Sequence, residues 1–159
     1  MNNQALFHLA LLTHIIGLTM MAGTTLVDYM ITKQFWPQLN ADRQKGLAIY
    51  NTMAKFRKLL AIGILLLIIS GVTMMYTTHG VFGEQIWFRI KFGFVIVIII
   101  NGLAIGRRLG RKLGKALAEE ASATNEAKLL KLKSNINTFI LSQLTFFIII
   151  FTLSAFKFN

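Results

Sequence analysis

The sequence predicts an all-α integral membrane protein: an antiparallel four-helix bundle with a cytoplasmic helical hairpin extending between its third and fourth spans. Three observations predict it. The chain of 159 residues is 55% hydrophobic, with a mean hydropathy of +0.60. Its apolar residues are gathered into four blocks, each near the roughly 20 residues a helix needs to cross a hydrocarbon core of about 30 Å. Lys and Arg are concentrated in the first and third connections between those blocks.

The first span is residues 6–31, LFHLALLTHIIGLTMMAGTTLVDYMI, whose one formal charge is Asp28. No Lys or Arg precedes it, and it is too long for the apolar core of a secretory signal, so it is expected to remain as a span. The connection over 33–57 holds the single proline, Pro37, which is assigned to a loop. A short helix is expected around 40–56, with Asn40 or Asp42 as N-cap and Leu47, Tyr50, Met53 and Ala54 at helical spacing. The second span is 59–76 and the third 87–106. Residues 107–133 read as a helical extension: Leu109, Leu113 and Leu117 recur every four residues, Leu129 and Leu132 are three apart, and Ser122, Thr124 and Asn125 supply the turn. An αα-hairpin protruding from the membrane is the simple interpretation. The fourth span, 136–156, closes a single domain over 1–159, with no linker and no obvious repeat.

The net charge of +11 is explained by its distribution. Lys33, Arg43, Lys45, Lys55, Arg57 and Lys58 face only Asp42 in the first connection. Arg107, Arg108, Arg111, Lys112, Lys115, Lys128, Lys131 and Lys133 outnumber Glu119, Glu120 and Glu126 in the third. The second, TTHGVFGEQI, has no Lys or Arg. Basic loops stay in the cytoplasm, which puts both termini outside. Topology and contact with anionic lipid account for the charge, so nucleic acid is not called for. The absence of cysteine excludes disulfides and thiolate metal sites.

Polar residues at membrane depth are the candidates for function. His14 lies roughly 12 Å into the first span, where an ionisable side chain is costly and marks a site by default. Ser70 and Gly71 fall at a similar level on the second span, and Arg89 and Lys91 sit near the outer face of the third. Asn101 lies about 20 Å down, within the approach of Gln143. Lys91 either faces the interior or snorkels to the interface on its long stem, and Arg89 reads as an interfacial anchor beside Trp87. Asp28 is expected to pair with Arg57 or Lys58. His8 and His79 read as solvated, and His8 points about 120° away from His14 on a common helix. Gly17, Gly23, Gly63, Ser70, Gly71, Gly93 and Gly102 mark places for close helix approach or room for a flat cofactor. For His14 three roles stay open: the single axial ligand of a haem, a proton relay, or a hydrogen bond to Ser70 or a backbone carbonyl. No other span supplies a histidine, and no carboxylate lies at its depth, which argues against a bis-histidine haem or a metal cluster.

Leu11-Leu12-Thr13-His14-Ile15-Ile16-Gly17, with Gly23 further on, and Trp87-Phe88-Arg89-Ile90-Lys91 leading into an aliphatic run that ends at Gly106-Arg107-Arg108, resemble a group of small bacterial inner-membrane proteins. That group includes the CopD-type domain and the HemJ-type protoporphyrinogen oxidase, and the resemblance covers spans one to three. It implies a b-type haem with His14 as iron ligand and Lys91 as a point charge for a propionate or a porphyrin carboxylate. Where the HemJ pattern carries a further histidine, this chain has Asn101, which implies a relative with a simplified site. The candidate cofactor-binding set is then His14, Lys91, Ser70, Gly71, Asn101 and Arg57, with His14 as the metal ligand. The implied role is electron transfer or porphyrin chemistry, with a membrane or redox partner and homo-oligomerisation open. Two other readings compete. One is copper or other ion transport, with Met20, Met21, Met30, Met53, Met74 and Met75 as soft ligands. The other is a non-catalytic subunit that docks a partner through the basic hairpin at 107–133.

Overall fold

The computed structural model describes residues 2–119 and 123–156. Its helices are α1 (Asn3–Ala41), α2 (Arg43–Thr77), α3 (Ile86–Asn101), α4 (Arg107–Ala118) and α5 (Ala123–Phe156), with a 3₁₀ turn at Val81–Glu84 and a π turn at Gly102–Gly106 that joins α3 to α4. There is no strand among the described residues. Four helices, counting Ile86–Ala118 as one, are long and apolar enough to cross a membrane. Their 39, 35, 33 and 34 residues correspond to lengths of about 50–58 Å, well beyond a hydrocarbon core of about 30 Å. The excess lies at one end, where the basic residues are.

Both connections at the basic end are tighter than the sequence suggests. The short helix expected over 40–56 does not exist as a separate element; it is the first half of α2, and the loop assigned to 33–57 reduces to the corner at Asp42. The carboxylate of Asp42 accepts from Gln44 N at 2.9 Å and Lys45 N at 3.4 Å, satisfying two of the amides that a helix N-terminus leaves unpaired. Pro37, assigned to a loop, lies inside the last turns of α1. Its missing N–H removes one intrahelical bond, and packing holds the helix together: the neighbouring Phe35 and Trp36 are 0% and 5% exposed. At the other end α2 stops in a Schellman arrangement, with His79 N donating to Tyr76 O and Gly80 N to Met75 O. His79 adopts φ 52° and Gly80 φ 79° there, so His79 has a backbone role the sequence did not reveal.

Helix α1 runs along α2, and α5 packs against α1 and α3. Gly17 and Gly63 make the closest approach: a Cβ on either would lie 3.0 Å from the other's carbonyl oxygen. Gly23 and Gly93, placed by the sequence among such contacts, are exposed with nothing within 4 Å, because they fall on the outward faces of α1 and α3. One core joins Met21, Ile98, Phe147 and Ile150. A larger one at the basic end joins Phe35 and Trp36 to Leu109, Leu113, Leu117, Leu132 and Ile136, so the leucines spaced four apart all point inward. Asn125, in the first turn of α5, donates from Nδ2 to Ala116 O at 3.0 Å, and Lys128 bridges to Glu119 at 3.0 Å. Ser122, expected in this turn, lies outside the described residues, as does Glu120. Thr124 falls within α5.

The outer surface of the apolar halves is a belt of exposed Leu, Ile and Val: Leu12, Ile15, Leu65, Val72 and Ile148 are all more than half exposed. Such a contiguous belt is costly in water and suits a lipid environment. Hydroxyls within it are turned inward on their own helices, as Thr19 on Ile15 O, Thr73 on Ile69 O and Thr145 on Leu141 O. Internal satisfaction of this kind is what hydrocarbon requires of a polar group.

Candidate functional site

The Gly17–Gly63 approach sets the register that builds the site. In a helix the Cα–Cβ bond leans toward the N-terminus, so the His14 side chain rises from α1 to the level of Ser70, seven residues beyond Gly63 on the antiparallel α2. His14 Nδ1 lies 2.9 Å from Ser70 Oγ. Ser70 is 1% exposed, and its hydroxyl also lies 2.6 Å from Leu66 O and 3.2 Å from Leu67 O. A serine has one proton to give, and the shortest contact takes it to Leu66. The tautomer of His14 is assigned from that network: Nδ1 carries the hydrogen and donates to Ser70 Oγ, with the Leu67 carbonyl also facing the ring. The lone pair is therefore on Nε2.

Gly71 completes the α2 side of the site. A Cβ there would only touch His14 Cε1, at 3.9 Å, so position 71 itself puts no side chain against the ring. Lys91 is the charged group whose field reaches the His14 ring. It is half-buried, with Nζ 5.9 Å from the centroid of the buried Trp87 ring, one turn nearer the start of α3. Arg89 points elsewhere, donating from Nε to Gly83 O at 2.8 Å. His8 is exposed and set edge-on to Phe7.

The other two members of the predicted set lie apart from His14. Asn101 Nδ2 points to Ser142 Oγ at 3.5 Å. The neighbouring Gln143 reaches Ile98 O at 3.3 Å instead of Asn101, and its buried Oε1 has no partner among the described residues. Arg57 is thirteen residues before Ser70, about 20 Å along α2, at the basic end. There it lines a cavity of about 80 Å³ with Asp28, Tyr50 and Gly110. The expected ion pair is not formed: Asp28 has no cation within 4.0 Å among the described residues, where Lys45–Asp42 and Lys128–Glu119 are the pairs made. The guanidinium is drawn off toward α4 and the Tyr50 ring, 5.8 Å away. Sequence reading missed this contact, although Gly106, Gly110 and Gly114 repeat every four residues and so signal it. A Cβ at these positions would meet Phe139, Arg57 and Tyr50 at 2.6–2.8 Å.

A histidine that ligates metal through one nitrogen is normally held by a hydrogen bond from the other, and Ser70 supplies that bond. The missing side chain at Gly71 and the cation at Lys91 suit a flat, acidic macrocycle. Among the described residues no group of three or more His, Cys, Asp or Glu is placed to hold a metal ion. Of the methionines, Met21 is in the core, Met30 is 59% exposed and Met53 lines the cavity at the basic end.

Comparison with known proteins returned no match to a family model, a curated protein or a solved structure. The fold and the four candidate spans suggest a multi-pass membrane protein.

Proposed function

We propose that this chain is a haem-binding protein of the bacterial inner membrane, with both basic connections in the cytoplasm, both termini outside, and His14 as single axial ligand. The observation that carries the reading is the His14–Ser70–Leu66 chain, which orients the ring and leaves the Nε2 lone pair as the one that would meet iron. Lys91 would hold a propionate or another porphyrin carboxylate as a point charge. Bound there, a b-type haem would supply one-electron chemistry. The protein's own residues orient the ligand, balance the carboxylate charge and keep water away with the Leu and Ile of the surrounding helices. Asn101 is turned to Ser142 and provides no second ligand at this level, in keeping with a simplified relative of the CopD and HemJ types.

The test is an absorption spectrum of protein purified in detergent from haem-replete cells. A Soret band is expected, and it should be lost in His14→Ala while thermal unfolding of the variant stays cooperative. A colourless wild-type protein overturns the proposal. Reporter fusions at the 77–86 turn and at the corner near Asp42 test the orientation, the first expected outside and the second in the cytoplasm.

A further inference from the structure

A groove of about 400 Å³ opens on the outer surface between α3 and α5, away from His14. Its walls are Val97, Ile100, Ala104, Ile105 and Phe146, and its two polar groups are Asn101 and Ser142. Val97, Ile100 and Ile105 are 45%, 60% and 50% exposed, so the groove faces whatever surrounds the apolar belt. It is open along one side and mostly apolar, with two polar groups at one place, so an occupant would lie along it and stay partly in lipid.

The polar pair is only partly satisfied from within. Ser142 gives its proton to Phe139 O at 2.7 Å and offers a lone pair to Asn101 Nδ2, at 3.5 Å. One amide hydrogen and the carbonyl oxygen of Asn101 make no other bond among the described residues. A helix does not leave an amide facing hydrocarbon without cost. The π turn begins at the next residue, with Arg107 N donating to Gly102 O. Its extra residue rotates α4 relative to α3, so that Leu109 and Leu113 enter the core while Asn101 stays on the groove. Local π turns of this kind occur often at functional sites.

We infer that this groove binds a membrane-dissolved quinone by its head group. The inference rests on the membrane-spanning part of the proposed function and not on the haem. Asn101 lies six residues before Arg107, about 9 Å inside the basic boundary. At that depth a phospholipid presents only acyl chain, which has nothing to hydrogen-bond, because its head group is held at the interface. A quinone brings carbonyl oxygens on a flat ring into the same layer and trails an apolar tail along α3. The amide suits both redox forms: Nδ2 donates to a quinone carbonyl, and Oδ1 accepts from a hydroquinone hydroxyl.

The probe is a photoreactive azidoquinone added to the full-length protein in lipid nanodiscs, with unlabelled decylubiquinone as competitor. Labelling is expected within 97–105 or 142–146, competed by decylubiquinone. It should fall by about two- to tenfold in Asn101→Leu, as the loss of one hydrogen bond would give. Ile100→Trp, which fills the groove from an exposed position without touching the core, should abolish labelling and keep the unfolding temperature. Labelling elsewhere, labelling that decylubiquinone does not displace, or labelling indifferent to both variants overturns the inference. So does native mass spectrometry that finds a phospholipid, or a second copy of the chain, released by Asn101→Leu in place of quinone. The Soret band of the same sample reports on His14 separately, so one reading can fail without the other.

Discussion

The imidazole of His14 is tied to the neighbouring helix by one bond, from Nδ1 to the Ser70 hydroxyl 2.9 Å away. That hydroxyl in turn is bound to Leu66 O at 2.6 Å. The chain of two bonds orients a nitrogen lone pair in the apolar half of the molecule, and it makes Ser70 a positioning residue. Ser70→Ala should leave the imidazole N–H short of its partner and destabilise the fold by about 1–3 kcal/mol. In the haem reading it should also weaken haem affinity by about 10–100-fold, measured by titration at the Soret maximum. Affinity equal to wild type would detach Ser70 from the site.

Gly63 and Gly23 are glycines of one pattern with opposite surroundings, and alanine should separate them. A Cβ on Gly63 would stand 3.0 Å from Gly17 O and 3.1 Å from Met21 N, both backbone atoms. Relief requires the helices to move apart, which overpacking data place at about 1–3 kcal/mol. Gly23 has nothing within 4 Å, so Gly23→Ala should be neutral or stabilise by up to about 1 kcal/mol through helix propensity. Unfolding in mild detergent under rising SDS measures both, and equal shifts would contradict the Gly17–Gly63 contact.

Asp42 holds the corner between α1 and α2 by capping Gln44 and Lys45. Asp42→Ala should cost about 0.5–2 kcal/mol, and Asp42→Asn, itself a good cap, much less. The salt bridge to Lys45, at 4.0 Å between exposed groups, plays little part. A loss of the same size in both variants would show that charge and not capping matters.

At the other corner two contacts of similar length differ in burial. The Lys128–Glu119 pair is exposed on both sides, and Lys128→Ala should change stability by no more than about 1 kcal/mol. Asn125 is 3% exposed and donates to Ala116 O. Removing it leaves a buried carbonyl short of a donor, at about 1–3 kcal/mol. Thermal unfolding of Asn125→Ala beside Lys128→Ala should give the larger loss for Asn125, and the reverse order would count against this corner.

Much of this was legible in the residues because it is local. Blocks of apolar residues give the four long helices, and the four-residue spacing of Leu109, Leu113 and Leu117 gives their shared buried face. The cap at Asp42 also follows from residue type, as one of two candidates. The extent of the helices was not legible: Pro37 and the polar run around Asn40 read as a loop, yet Phe35 and Trp36 are held in a core built from α4 and α5. Propensity counts neighbours in sequence, and here the deciding neighbours are more than seventy residues away.

At the site, residue order alone marks His14 as an ionisable group in an apolar helix, with Ser70 and Gly71 at its level and Lys91 as the nearest cation by depth. Which of these it engages depends on how the helices pack. The Gly17–Gly63 contact sets how far α1 slides along α2, and that slide alone puts Ser70 within bonding distance of Nδ1 and leaves Arg57 some four turns away. The same packing turned Asn101 toward Ser142 and an outward groove, and the π turn that follows rotates α4 so that Leu109 and Leu113 enter the core. Depth can be counted along one helix; rotation and register belong to the pair.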